Sequence, residues 1–217
     1  AAGVPIAAPS ANTFTRPSAT TASHVLEDLN GRVDVVLDGG ATSIGLESTV
    51  IDLTHAIPVV LRPGGITLDN LRRIVPEVTL APRYLATEGT EAVSSSPGQL
   101  VKHYSPKAQV MLFTGEVNAV IAEMQKRVAE LKQQGKRVGV LVADEDYRYF
   151  DRDANVKTLG SRHDLGAISH SLFAAFRMLD GLNVDVILVR DFGRMGLGEA
   201  LWDRLLRSAE GKVIEVY

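Results

Sequence analysis

From Gln109 onward, apolar residues alternate between short unbroken runs and longer periodic ones. "QVMLFTG" (109–115), "RVGVLVA" (137–143) and "VDVILVRDF" (184–192) have the length and composition of strands buried on both faces. Val117, Val120, Ile121, Met124, Val128 and Leu131 recur at three- and four-residue spacing, and Gly135 stops the pattern, which predicts one amphipathic helix. "DLGAISHSLFAAFRMLDGLN" and "GEALWDRLLRSAEG" read as two more helices, "NVKTLG" and "KVIEVY" as two more strands. Strand and helix in alternation predict a Rossmann-like, mostly parallel α/β domain over residues 109–217.

The pattern over residues 1–78 is different: short apolar runs separated by turn residues. "VPIAA" and "VDVVLDGG" read as buried strands, as do "STVIDLT" and "IPVVLRPGG". "ATTASHVLEDLNG" is a helix capped by Thr20 or Thr21 and stopped at Gly31, and "TLDNLRRIV" a short one between Thr67 and Pro76. This predicts a mixed α+β sheet. Residues 79–108 carry three prolines, the run "SSS" and no period, which predicts a linker long enough to have a task of its own.

Composition adds bounds. With 217 residues, 45% hydrophobic and 23% charged, the chain can build a core. A net charge of −3 does not favour nonspecific nucleic-acid binding. The absence of cysteine excludes disulfides and thiolate metal sites and fits a reducing compartment, so a cytoplasmic protein is expected. No apolar run reaches the roughly 20 residues a spanning helix needs. The chain begins at Ala1 and "AAGVPIAA" reads as the end of one element running into another, so a fragment is expected.

Candidate chemistry sits at strand ends. Ser10 and Asn12 follow one apolar run, Ser48 and Thr49 open another, and Arg62 closes "IPVVL" just before Pro63-Gly64-Gly65. Hydroxyls, a carboxamide and a guanidinium there suit a polar, anionic ligand. The competing reading is that Ser and Asn form turns and Arg62 is a surface residue. "GRMGLGEA" (193–200) stands between a strand and a helix but lacks the GxGxxG spacing, and reads as a turn before it reads as a phosphate loop. The five histidines have no metal spacing, and Glu47-Ser48 has no nucleophile-elbow context.

At these residues the chain resembles a known family. "PSANTFTRPSAT", "ESTVIDL" and "VVLRPGGIT" are similar, in order and spacing, to three signatures of the YrdC-like domain. "SPGQLVKHYSP" and "GLGEALWDRLLRSAEGKVIEVY" resemble the linker and the terminal helix and strand of its long, two-domain form. The family is threonylcarbamoyl-AMP synthase. The resemblance implies a partial YrdC-like mixed α+β sheet domain (1–78), a linker or lid (79–108) and the Rossmann-like domain (109–217).

It also implies condensation of L-threonine, bicarbonate and ATP, with Mg²⁺, into threonylcarbamoyl-AMP and pyrophosphate, the product passing to the machinery that makes t6A in tRNA. Ser10, Asn12, Ser18, Arg62 and Tyr104 would contact ATP or the adenylate, and Ala8 and Ser48 would line the threonine pocket. Tyr104 would fold back over the nucleotide, and the linker would shut out water. The family's basic pair and other threonine contacts precede the matching region, so half the expected site lies outside these residues. Where the family has Ser-Gly in the loop, this chain has Thr15-Arg16 in phase, or Thr13-Phe14 if the loop is gapped, so the glycine is absent either way. Such chemistry needs no protein nucleophile, only positioning and charge neutralisation, which agrees with a site of hydroxyls and an arginine. An alternative of another class is a tRNA- or nucleotide-binding module without catalysis.

Overall fold

The computed structural model describes residues 3–81, 103–150 and 154–217. The central residues of the expected linker, with its proposed lid segment up to Lys102, lie outside the described residues.

The second part of the chain carries the main core. Five strands form one sheet: β4 (Gln109–Gly115), β5 (Val138–Val142), β6 (Asn155–Thr158), β7 (Val186–Arg190) and β8 (Val213–Val216), all parallel, in the order β6-β5-β7-β4-β8. Parallel neighbours need crossovers, supplied by α3 (Val117–Gln133), α4 (Leu165–Gly181) and α5 (Gly198–Ser208), with a 3-10 turn at Asp144–Tyr149 between β5 and β6. Successive residues of β7 point to opposite faces. Val186 and Leu188 pack with Val120, Ile121, Met124 and Val128 of α3, whereas Ile187 and Val189 pack with Leu172, Phe173 and Phe176 of α4 and Leu201 and Leu205 of α5. Both faces are therefore covered, which is why these strands read as unbroken apolar runs.

The first part contains α1 (Ala22–Leu29), β1 (Val50–Asp52), β2 (Val59–Arg62), α2 (Leu68–Arg72) and β3 (Thr79–Leu80). Its sheet is mixed: β1 pairs antiparallel with β2, and β2 parallel with β3. Thr21 caps α1 through the amide of His24, and Thr67 with Asn70 forms a reciprocal capping box on α2.

Two expected strands are not formed. "VPIAA" and "VDVVLDGG" run as exposed, irregular backbone, with Ile6 76% and Leu37 90% accessible. A strand is held by its ladder, and no described strand edge pairs with either segment. Apolar patterning marks them as strand-like; only a neighbour makes them strands.

Candidate functional site

The loop at 12–18 is folded by its own side chains and then pinned to the larger sheet domain. The Asn12 amide Nδ2 donates to the carbonyls of Thr13 (2.8 Å) and Arg16 (3.1 Å), and the Arg16 amide returns to Thr13 O (3.1 Å). Thr15 takes a left-handed φ of 67°. The loop is anchored by two residues of α4. Arg177 donates to both oxygens of Asp28 (3.1 and 2.8 Å) and to Pro17 O (2.6 Å). Asp180 accepts from Arg16 (2.6 Å) and from the amides of Lys107 (2.9 Å) and Ala108 (3.2 Å). Ser105 closes the seam by donating its amide to Thr15 O (2.8 Å). Arg16 thus supplies the side-chain tie from this loop to Asp180 of α4, beside the bond from Arg177 to the Pro17 carbonyl.

Beside the loop, Ser18 Oγ donates to one oxygen of Glu47, and Arg204 Nε to the other (2.7 Å). Arg204 comes from α5, is 0% exposed, and also binds Asp203 and the Pro63 carbonyl (3.1 Å). Its guanidinium lies 4.9 Å from the Tyr104 ring centroid. From the neighbouring strand end, Arg62 donates to Ser48 O (3.0 Å) and reaches Ser48 Oγ (3.3 Å). Gly64 is required here: a Cβ would fall 2.3 Å from Glu47 O and 2.5 Å from Thr49 N, so only glycine lets the Pro63-Gly64-Gly65 turn press against the 47–49 backbone.

The structure therefore gathers Ser18, Ser48, Arg62 and Tyr104 around Glu47 and Arg204. Ala8 and Ser10 stand on exposed backbone ahead of the loop and are not drawn into this network. Tyr104 is not laid across an open cleft. Its ring is fully buried, 5.5 Å from Phe173 and roughly parallel to it, with φ of 57°. Three buried polar atoms here lack a partner among the described residues: Asn12 Oδ1, His103 Nδ1 and the Tyr104 hydroxyl. Such orphaned groups are costly in a closed core and fit a place that receives a polar ligand or rearranges. Burial pushes the His103 pKa down, Arg207, Arg204 and Arg62 push it further, and Glu47 opposes them.

Glu47, Arg204, Arg177 and Asp180 were not singled out from sequence. Arg204 did carry a signal. It shares the buried stripe of α5 with Leu201, Leu205 and Ser208, and an arginine at such a position implies a buried acceptor.

Burial alone would raise the Glu47 pKa, but the Arg204 charge and the hydrogen bonds from Ser18 and Arg204 outweigh it and hold the carboxyl below its ordinary 4.5. A carboxyl whose folded pKa is depressed contributes stability that is present above its unfolded value and is lost as pH falls through the folded one. Thermal melts should accordingly show stability falling below about pH 4.5, and Glu47→Gln should flatten that acid limb. An unchanged limb in the variant would remove Glu47 from this role.

A mixed sheet bearing a polar, arginine-lined cluster, leaning on an all-parallel Rossmann-like sheet, defines an α/β protein. The chain belongs to the threonylcarbamoyl-AMP synthase family. The family model described as "Threonylcarbamoyl-AMP synthase, C-terminal domain" matches residues 66–210, and one described as "Telomere recombination" matches residues 1–64. The chain is 39% identical over 212 residues to the threonylcarbamoyl-AMP synthase of Pyrococcus abyssi, covering 98% of this chain and 60% of that protein. It is 38% identical over 212 residues to the Bacillus subtilis enzyme, covering 98% and 59%. The solved structure of P. abyssi Sua5 complexed with L-threonine superposes with a TM-score of 0.87 at 37% identity, covering 96% of this chain and 59% of that one. The chain thus spans about three fifths of the length of these relatives. Among the described residues, no helix is long and apolar enough to cross a membrane.

Proposed function

We propose that the protein carrying this chain is a threonylcarbamoyl-AMP synthase, and that residues 1–78 contribute one side of its active site, followed by a linker (79–108) and a Rossmann-like domain (109–217). The observation that supports this most directly is the meeting of Ser18, Ser48 and Arg62 around Glu47, in a chain whose relative was solved with L-threonine. In this reading the amine of L-threonine and bicarbonate form a carbamate, one oxygen of which attacks the α-phosphorus of ATP, and pyrophosphate leaves. Arg62 meets phosphate oxygens, Ser10, Asn12 and Ser18 hold the nucleotide, and Ala8 and Ser48 face the threonine. Catalysis is positioning and charge neutralisation in a place shielded from water.

Tyr104 reaches the nucleotide in this scheme only after its ring leaves the seat between Phe173 and Arg204. A solved variant of the P. abyssi protein replaces an adjacent histidine and tyrosine by alanine; the one adjacent His-Tyr pair in this sequence is His103-Tyr104. The residues present do not fit a protein-held Mg²⁺. Among the described residues no group of three acidic or imidazole side chains stands together, and both Glu47 oxygens are engaged. The ion would arrive on the nucleotide's phosphates. The product would pass to the tRNA t6A machinery in the cytoplasm.

Pyrophosphate release from ATP, L-threonine and bicarbonate is the direct test. Arg62→Ala should weaken ATP binding about 10- to 150-fold by calorimetry, the loss of a charge-assisted phosphate contact worth roughly 1.5 to 3 kcal/mol. ATP affinity unchanged in the variant would take Arg62 out of the site.

A further inference from the structure

The larger sheet has a concave place of its own, lined by none of the residues of the cluster around Glu47. The chain leaves β4 for β5 through α3, which covers one face, and leaves β7 for β8 through α5, which covers the other. β4 and β7 are neighbours. Their carboxyl ends therefore part to opposite faces, and this is the position where open parallel sheets hold ligands. A crevice of about 320 Å³ occupies it, lined by Phe113, Thr114, Val117, Arg162, Arg190 and Phe192.

The polar wall is built rather than incidental. Asp146, 0% exposed, accepts from both Arg162 and Arg190, so one buried carboxylate fixes two guanidiniums. Arg190 is 7% exposed and donates through Nε to Asp146 (3.0 Å) and through Nη1 to Asp191 O (2.8 Å). Its Nη2 lies 3.0 Å from Asp146 but makes no directed hydrogen bond among the described residues, and Arg162 Nε is likewise unsatisfied. Both guanidiniums are ion-paired through these atoms, Arg162 Nε lying 3.6 Å from Glu145, yet each keeps a buried N–H whose hydrogen bond is not completed among the described residues, a cost that an incoming acceptor would relieve. Asp191, the carboxylate on the rim, is engaged by Thr114 Oγ1 and the Gly193 amide (3.3 Å). Phe113, Val117, Val120 and Phe192 supply apolar wall, with the Phe192 ring 5.0 Å from the Arg190 guanidinium, and His163 lines the crevice beside Arg162. The loop leaving β7 leads to the start of α5, where Leu197 stands at the cap position with no side-chain acceptor.

We propose that this crevice binds a small organic anion, its phosphate or carboxylate held by Arg162 and Arg190 and its flat apolar body lying against Val117 and Phe192. The glycine-rich "GRMGLGEA" turn is then the rim of the pocket. Formal charges nearly balance, with Glu145, Asp146 and Asp191 facing Arg162, Arg190 and Arg194, so directed N–H groups rather than net field select the ligand. Affinity should be modest. The site is independent of the strand-end cluster around Glu47, and nothing in it rests on the synthase reading.

The test is a methyl-NMR titration of the valine-labelled protein with AMP, benzoate, inorganic phosphate and adenosine, reading the Val117 and Val120 methyls, which line this crevice and take no part in the cluster around Glu47. AMP or benzoate should shift both methyls, inorganic phosphate should do so more weakly, and adenosine should not. Arg162→Gln should weaken the response about tenfold or more, as loss of a charge-assisted contact does. Val117→Trp, which fills the crevice without touching the ion pairs, should abolish it. Unmoved methyls with all four probes, or equal responses to adenosine and AMP, would overturn the proposal. Shifts elsewhere in the protein would report only on other sites.

Discussion

Arg204→Met is expected to cost about 3 to 5 kcal/mol of stability, the range found when one partner of a buried ion pair is removed and the others stay behind. The variant would strand Glu47 beside Ser18, leave Asp203 in the middle of α5 with Arg207 Nε as its remaining partner (2.7 Å), and leave the Pro63 carbonyl without its donor. Methionine keeps most of the volume and the contact with Tyr104, so cavity formation is a minor part of the loss. Urea denaturation measures the effect. A second variant separates charge from packing: in Glu47→Gln with Arg204→Met the uncompensated carboxylate is gone, and the pair should lose clearly less than the sum of the two single changes. Additive losses would mean that Arg204 acts through packing, not through Glu47. The consequence for function follows from position. Ser48 adjoins Glu47 and Ser18 binds it, so a helix of the Rossmann-like domain sets the geometry of residues proposed to hold ATP and threonine.

Asp180→Ala should be the next largest. One carboxylate accepts from Arg16, Lys107 N and Ala108 N, and truncation leaves two amides at the seam unsatisfied. The expected loss is about 2 to 4 kcal/mol. More telling is where the loosening appears. Amide exchange at Arg16, bonded to Thr13 O, and at Ser105, bonded to Thr15 O, should accelerate well beyond exchange in β4, β5 and β7. Uniform acceleration throughout would show that Asp180 supports the whole domain, not the docking of the loop.

Much of the larger domain follows from sequence alone. Strands β4, β5 and β7, buried on both faces, leave unbroken apolar runs, and α3 leaves a stripe at three- and four-residue spacing, because burial on these elements has a fixed period. The end of β2 was equally legible, since Pro63-Gly64-Gly65 after Arg62 marks a turn, whereas Ser10 and Asn12 follow a run that forms no strand. Two things were decided by tertiary structure. "VPIAA" and "VDVVLDGG" have strand composition yet stay irregular and exposed, because a strand exists only against a partner edge. The wiring of the site was hidden for a related reason. Ser18 meets Glu47, and Glu47 meets Arg204, across separations of 29 and 157 residues. A buried charge announces in sequence that it needs a counterpart, as Arg204 does on the apolar face of α5, but it carries no record of which carboxylate the fold will bring to it. That choice is made when α4 and α5 dock on the sheet and present Arg177, Asp180 and Arg204 to the small domain's loops.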